Sequence, residues 1–245
     1  MKKALSLLLT ALICCYAASA RSIELSGEKA EKQFNVPEAY SELVVDGEIE
    51  VRFSARNSSA VLTADKAVID CITVSVKDGK VKIGYKEDRL NISAPRKLQV
   101  ITATTVILPF NKELNRITME GKSIVKSDTP FSDRTFCLSM HGESVFRGTI
   151  NADTFTVNAD GSSTAIIQGA SQILECNAGG ACRLIADEYS TKSVKVDMGG
   201  EAHVSVFCNG SVKGKLNGAA ILHYYGNAGT KDIETSGAAQ IVNHN

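Results

Sequence analysis

Between Ile117 and Val242 apolar and polar residues alternate in short runs, each centred on a glycine: Gly121, Gly142, Gly161, Gly180, Gly200, Gly218 and Gly237. Successive glycines are 21, 19, 19, 20, 18 and 19 residues apart. Four residues before them stand Ile117, Leu138, Val157, Cys176, Val196, Gly214 and Ile233. Two after them every side chain is small (Ser123, Ser144, Ser163, Cys182, Ala202, Ala220, Ala239), and four after them they are apolar again, from Val125 and Phe146 to Ile241. The odd positions before each glycine are mostly polar, as in Thr118, Ser139, Asn158 and Asn177. Alternation with period two sends alternate side chains to opposite faces of an extended chain, so these runs predict strands with one buried face and exclude helix.

A coil of about 20 residues, built of two or three such strands and turning at glycine, predicts an all-β fold. The expected architecture is a single-stranded β-solenoid whose coils stack at roughly 4.8 Å. Equivalent residues then form ladders, and because one coil cannot bury its apolar side alone, several are needed for stability. The general preference of parallel crossovers makes a right-handed coil the expectation.

The N-terminal part is β-rich but less regular. Tyr40 to Phe53 repeats the glycine phrase around Gly47, with Leu43, Val45, Ile49 and Val51 on one side and Asp46, Glu48 and Glu50 on the other, and predicts an early coil. Ala60 to Ala64 predicts a short strand. Alternating runs flank Asp78-Gly79, a hairpin signal because both turn residues need positive φ. Arg89 to Lys97, with Pro95, reads as a loop, and Leu98 to Leu108 is β-rich until Pro109 withholds a backbone donor. Irregular terminal repeats suit a segment that must cap the stack and block edge pairing.

Domain organisation follows from the flanks. Lys2-Lys3, the apolar run Ala4 to Cys15 and the A-x-A site Ala18-Ser19-Ala20 predict a secretory signal peptide over 1–20. The polar, charged residues 21–33 read as a flexible or loosely docked lead-in, and 34–245 as one solenoid domain. No transmembrane segment is expected, since no apolar run reaches the roughly 20 residues that a spanning helix needs. Ala11-Leu12-Ile13 before Cys14-Cys15 lacks the small residue that a lipobox places ahead of its cysteine.

The chain carries 27 basic and 27 acidic residues and no Trp, and its basic residues are scattered. That argues against a nucleic-acid partner, which calls for a basic patch, and against a polybasic membrane anchor. Downstream of residue 20 there are five cysteines, Cys71, Cys137, Cys176, Cys182 and Cys208. Cys176 and Cys182 fall on inward positions of one coil and read as small buried hydrophobes, with a disulfide across the corner as the alternative in an oxidising compartment. The cysteines lack paired short spacings beside histidine, so no metal site and no cofactor are expected.

One outward column has chemical content. Glu120, His141 and Asp160 each precede a turn glycine, so adjacent coils would bring them together as an acid/base or metal cluster. The alternative, a solvated sheet face, is the reading adopted. His203 and His223 fall on other columns, and no nucleophile elbow, phosphate loop or His-Glu-x-x-His is present, so no catalytic residue is assigned. A second outward set is apolar: Ile124, Val145 and Ile221 three after the glycines, Ile166, Ile185 and Val242 five after them. Such a stripe marks a partner surface, unless the N-terminal segment lies across it.

The phrases VVDGEIEVRFS (Val44 to Ser54), VSVKDGKVKIGY (Val74 to Tyr85), TTVILP (Thr104 to Pro109) and YYGNAGTKDIETSGAAQI (Tyr224 to Ile241), with the glycine phrases between them, occur in an order that resembles the auto-transporter adhesin head (GIN) domain family of secreted Bacteroidetes proteins. In that family's turns Gly-Ser-Gly is common, whereas here the second glycine is Ser, Ala or Cys throughout. The resemblance implies an exported all-β solenoid of unassigned ligand, sited in the periplasm, on the outer-membrane surface or outside the cell. The expected function is a non-catalytic adhesin-like module binding a glycan or a protein through its flat faces. A structural or self-associating cell-envelope protein, forming homo-oligomers, is the alternative, and a polysaccharide-processing enzyme ranks third.

Overall fold

In the computed structural model residues 21–36, 39–86, 90–93 and 103–244 are described, those at 21, 22 and 90–93 by their backbone only. The alternating runs become strands. From the first turn glycine onward these are β10 (Arg116–Glu120), β11 (Ile124–Lys126), β12 (Phe131–Met140), β13 (Val145–Ala159), β14 (Thr164–Ala178), β15 (Arg183–Met198), β16 (His203–Leu216), β17 (Ile221–Tyr225), β18 (Thr230–Thr235) and β19 (Gln240–Asn243). Before them come β1 (Arg21–Glu24), β2 (Lys29–Phe34), β3 (Glu42–Asp46), β4 (Glu50–Ser54), β5 (Ala60–Asp65), a 3-10 turn (Ile69–Cys71), β6 (Ile72–Lys77), β7 (Lys80–Tyr85), β8 (Leu90–Ser93) and β9 (Thr105–Pro109).

Each coil is a flattened loop of two faces joined by two corners. The first corner is the glycine turn. On its upstream side β3, β10, β12, β13, β14, β15, β16 and β18 pair in parallel in that spatial order. On its downstream side β4, β11, β13, β14, β15, β16, β17 and β19 do the same. The repeat is thus the β-solenoid that the alternation predicts, with coils of about 19 residues.

The glycine turn shows why only glycine serves there. Gly161 has φ +74°, in the left-handed region, and a Cβ on it would lie 2.7 Å from the carbonyl oxygen of Gly142 one coil below. That same oxygen accepts a hydrogen bond from the Ser162 N–H at 2.8 Å, so the close approach is itself a rung of the ladder. The second corner has no glycine repeated in every coil, although Gly169 stands there with φ +115°. There β13 and β14 run through without a break, Asn151 pairing with Ala170 and Ala152 with Ser171. Uneven glycine spacing is absorbed at this corner. Ile166 pairs with Ile185 but Gly169 with Tyr189, so the coil with the 20-residue step carries one extra residue as a bulge.

The interior holds two kinds of ladder. Phe131, Phe136, Phe155 and Tyr189 are each at most 1% exposed and form a continuous aromatic column, with successive ring centroids 5.3, 6.1 and 5.5 Å apart. Edge-to-face and tilted rings at such spacings add attraction beyond burial alone. Behind the glycine turn, Ser123, Ser144, Ser163, Cys182, Ala202 and Ala220 are all buried. The hydroxyls of Ser123, Ser144 and Ser163 have no hydrogen-bond partner, so small size, not hydrogen bonding, is what this ladder selects.

At the N-terminal end, sequence order and spatial order part company. The phrase around Gly47 does form a coil, as expected, but β7 and β9 lie beneath β3 and β4, so the first coil in sequence is the second in space. Antiparallel strands then close the stack: β6 on β7, β5 on β9, and β2 on β5. The Asp78-Gly79 hairpin is present, with φ +51° and +72°.

Two expectations need correction here. The lead-in 21–33 is not loose, because β1 pairs with β8 and β2 pairs with β5 over its whole length. Its polarity misleads because an edge strand uses its backbone and keeps most side chains in water. Ile23 is nonetheless 8% exposed and packs into the core. A buried carboxylate fixes the segment further: Asp65, 1% exposed, accepts hydrogen bonds from Ser26 N, Ser26 Oγ, Gly27 N and Ala67 N at 2.8–3.0 Å. Burial alone would raise its pKa, but these bonds outweigh it and hold the carboxyl below its ordinary value. The second correction is that Leu90–Ser93 of the expected loop is a strand, held by its pairing with the remote β1. The expected signal peptide, the rest of that loop (89 and 94–97) and the following stretch up to 102 lie outside the described residues.

Candidate functional site

The column before the turn glycines stacks as the sequence predicts. Met119 pairs with Met140 and Met140 with Ala159, so Glu120, His141 and Asp160 follow one above another. All three side chains are exposed. Asp160 turns its Oδ1 to the N–H of Gly161 at 2.7 Å, serving its own turn. Among the described residues no hydrogen bond or ion pair joins the three side chains, and no group of three His, Cys, Asp or Glu is placed to hold a metal ion. Three solvated groups with no enclosing wall have little leverage for proton transfer. Replacing His141 and Asp160 together with alanine is therefore expected to shift stability by no more than about 0.5 kcal/mol and to leave ligand binding unchanged. Chemical denaturation and a binding assay on the double variant check this.

The five cysteines are free thiols, with Cys176, Cys182 and Cys208 buried and Cys71 and Cys137 half-buried. Burial, and next the neighbouring Cys182, pushes the Cys176 thiol up to about 12. Burial and then the Asp160 carboxylate raise Cys182. Since the thiolate is the reactive form, native alkylation at pH 8 followed by peptide mass spectrometry should label Cys71 and Cys137 well before Cys176 and Cys182. Labelling of all five at one rate would contradict the burial.

The downstream face presents the apolar outward set. Ile124 pairs with Val145, and Ile166 with Ile185, while Ile221 stands beside His203. All are half-buried. The described N-terminal strands pair with β8 and β5, not with the strands that carry these residues. Contact of β14 and β15 is chiefly with the strands above and below them. Leu25 meets this set at Ile124, where both line a cavity of about 160 Å³ with Glu48, Glu50, Tyr85 and Lys122. At the second corner an open polar groove is lined by Asp133, Arg134, Asn151, Asp153 and Gln172. No single sequence signal marks this groove, since it arises where bends of successive coils stack.

Near the C-terminal end of the downstream face, His223 Nδ1 and His244 Nε2 are 2.9 Å apart and share a hydrogen bond. The Tyr225 ring stacks on His244, centroids 4.4 Å apart and planes 10° from parallel. Column-by-column reading misses this group, because His244 lies diagonally across from His223. Its only trace in the sequence is a separation of 21 residues, one coil plus two.

With this geometry the chain can be compared with known proteins. No curated protein sequence matches it. Solved structures share its fold: a "putative adhesin" from Bacteroides fragilis (TM-score 0.76, 16% identity, covering 91% of this chain and 100% of that one), and a "putative adhesin" from Parabacteroides distasonis (0.69, 17%, 91% and 100%). A "putative lipid binding protein" from the same organism is also similar (0.68, 16%, 91% and 100%). Among the described residues no helix is long and apolar enough to cross a membrane. The model of one family matches residues 39–228. By that match, which covers most of the chain, the protein belongs to the family described as "Putative auto-transporter adhesin, head GIN domain".

Proposed function

We propose that this chain is an exported, non-catalytic binding module that engages a glycan or a protein through the downstream face of its solenoid. The observation that carries the reading is the apolar set Ile124, Val145, Ile166, Ile185 and Ile221 on an outward sheet face, with no strand of the described residues laid over the Ile166–Ile185 pair. Apolar groups gathered on a rigid face lose little entropy on docking and favour a partner that covers them. The family's description supports an adhesive role, and the neighbour described as lipid-binding adds a lipid surface as a ligand class to be tested. The experiment is a binding screen of the purified chain against glycan arrays, extracellular-matrix proteins and liposomes, repeated with Ile166→Lys/Ile185→Lys. Loss of the detected ligand in a folded double variant supports the reading, and full retention removes this face from the function.

A second reading, self-association, is favoured by the last coil. Among the described residues β18 and β19 each pair with a strand of the coil below, and Ile241, on the inward column, is 39% exposed. Such an edge is a template for another strand. Light scattering over a concentration series tests it: growth in mass that Ile241→Lys abolishes supports the reading, and a constant monomer mass contradicts it.

A further inference from the structure

We propose that His223 and His244 form a chelating site for a divalent transition-metal cation, with preference for Cu2+ or Ni2+. The site lies on the same downstream face, two residues beyond Ile221 on β17, and holds whether or not that face binds a ligand. Its parts are placed by the strand ladder. His223 and Tyr225 lie two apart on β17, so both point outward from the downstream face. The next strand, β19, pairs with β17 through His223–Val242 and Tyr224–Asn243. His244 continues that ladder, donating its N–H to the Tyr224 carbonyl at 3.1 Å. Its ring is then held on two sides, by the Tyr225 face at 4.4 Å and by the His223 nitrogen at 2.9 Å.

The distance itself suits a metal. Imidazole nitrogens bind divalent zinc at about 2.0–2.1 Å, and other first-row cations at similar lengths. Two ligands at right angles on one ion are then about 2.9 Å apart, and two at the tetrahedral angle about 3.3 Å. The observed 2.9 Å matches the nitrogen–nitrogen separation of adjacent positions on a square-planar or octahedral ion, the geometry of Cu2+ and Ni2+. A tetrahedral ion would require the rings to part. In the metal-free pair one facing nitrogen donates a proton to the other. Binding a cation needs both lone pairs, so the donor ring moves its proton to its far nitrogen and both rings remain neutral. His244 is exposed, so water can complete the coordination shell. Among the described residues no third His, Cys, Asp or Glu joins them, so this is a two-ligand, exchangeable site and not a buried structural one.

The test is calorimetric titration of the tag-free chain with CuCl2, NiCl2, ZnCl2 and MnCl2 at pH 7.5 in a non-chelating buffer, with the copper complex also examined by electron paramagnetic resonance. The expected result is one cation per chain, Cu2+ tightest and Mn2+ weakest, and a spectrum showing two coordinated imidazole nitrogens. His223→Ala and His244→Ala should each weaken Cu2+ binding by at least the roughly 10- to 100-fold that loss of even an outer-shell partner costs, with unchanged circular dichroism. His203→Ala should leave it unaltered. Absence of stoichiometric binding by the wild-type chain would overturn the proposal, as would wild-type affinity in either single variant.

Discussion

Phe155→Ala is expected to lower stability by about 3–5 kcal/mol, the range for removing a buried phenylalanine from a packed core. Phe155 is fully buried in the middle of the aromatic column, 6.1 Å from the Phe136 ring and 5.5 Å from that of Tyr189. The gap cannot close easily, since the coil spacing above and below is fixed by backbone rungs such as Thr154–Ile173 and Phe155–Leu174. Coils in such a stack depend on their neighbours, so a cavity at the centre weakens two interfaces at once. Urea denaturation measures the effect, with Val76→Ala, 41% exposed, as a surface control expected to stay within about 0.5 kcal/mol. A Phe155→Ala loss below about 1 kcal/mol would mean that the column is not packed as described.

Gly161→Ala is expected to cost about 2–4 kcal/mol. Two terms combine. The left-handed φ of +74° costs an L-residue roughly 1–2 kcal/mol. The added Cβ would also meet the Gly142 carbonyl oxygen at 2.7 Å and its nitrogen at 3.0 Å, both backbone atoms that cannot swing aside. Relief requires opening the coil spacing at the turn, which stretches the Ser162 to Gly142 hydrogen bond. Gly199 supplies the contrast on the same corner: a Cβ there meets nothing within 4 Å, and Gly199→Ala should be neutral or stabilising by a few tenths of a kcal/mol. Equal melting temperatures for the two alanine variants would contradict the turn-ladder description.

Much of this fold can be read from the sequence because a parallel stack repeats its constraints. The glycine, the small residue two after it and the apolar residue four after it each answer to the coil below, and that answer recurs about every 19 residues. The N-terminal cap is less legible for the opposite reason. Nothing local in β3 and β4 shows that β7 and β9, encoded later, will lie beneath them. β2 is a polar hexapeptide, KAEKQF, whose order comes from backbone pairing with β5 and from the Asp65 clasp, neither of which leaves an apolar pattern. The outward columns divide the same way. The stacking of Glu120, His141 and Asp160 follows from register alone and is present, but whether the side chains meet depends on rotamers that spacing does not encode. The His223–His244 contact runs diagonally between columns, so a reading that aligns equal offsets passes over it.

We propose at the centre of this reading that the solenoid is a binding module displayed at the cell surface. Protease shaving of intact cells tests it most directly, with a periplasmic marker protein as control and immunodetection of the chain. The account predicts that the chain is lost while the marker survives. Protection of the chain alongside the marker would contradict an adhesive role at the cell surface.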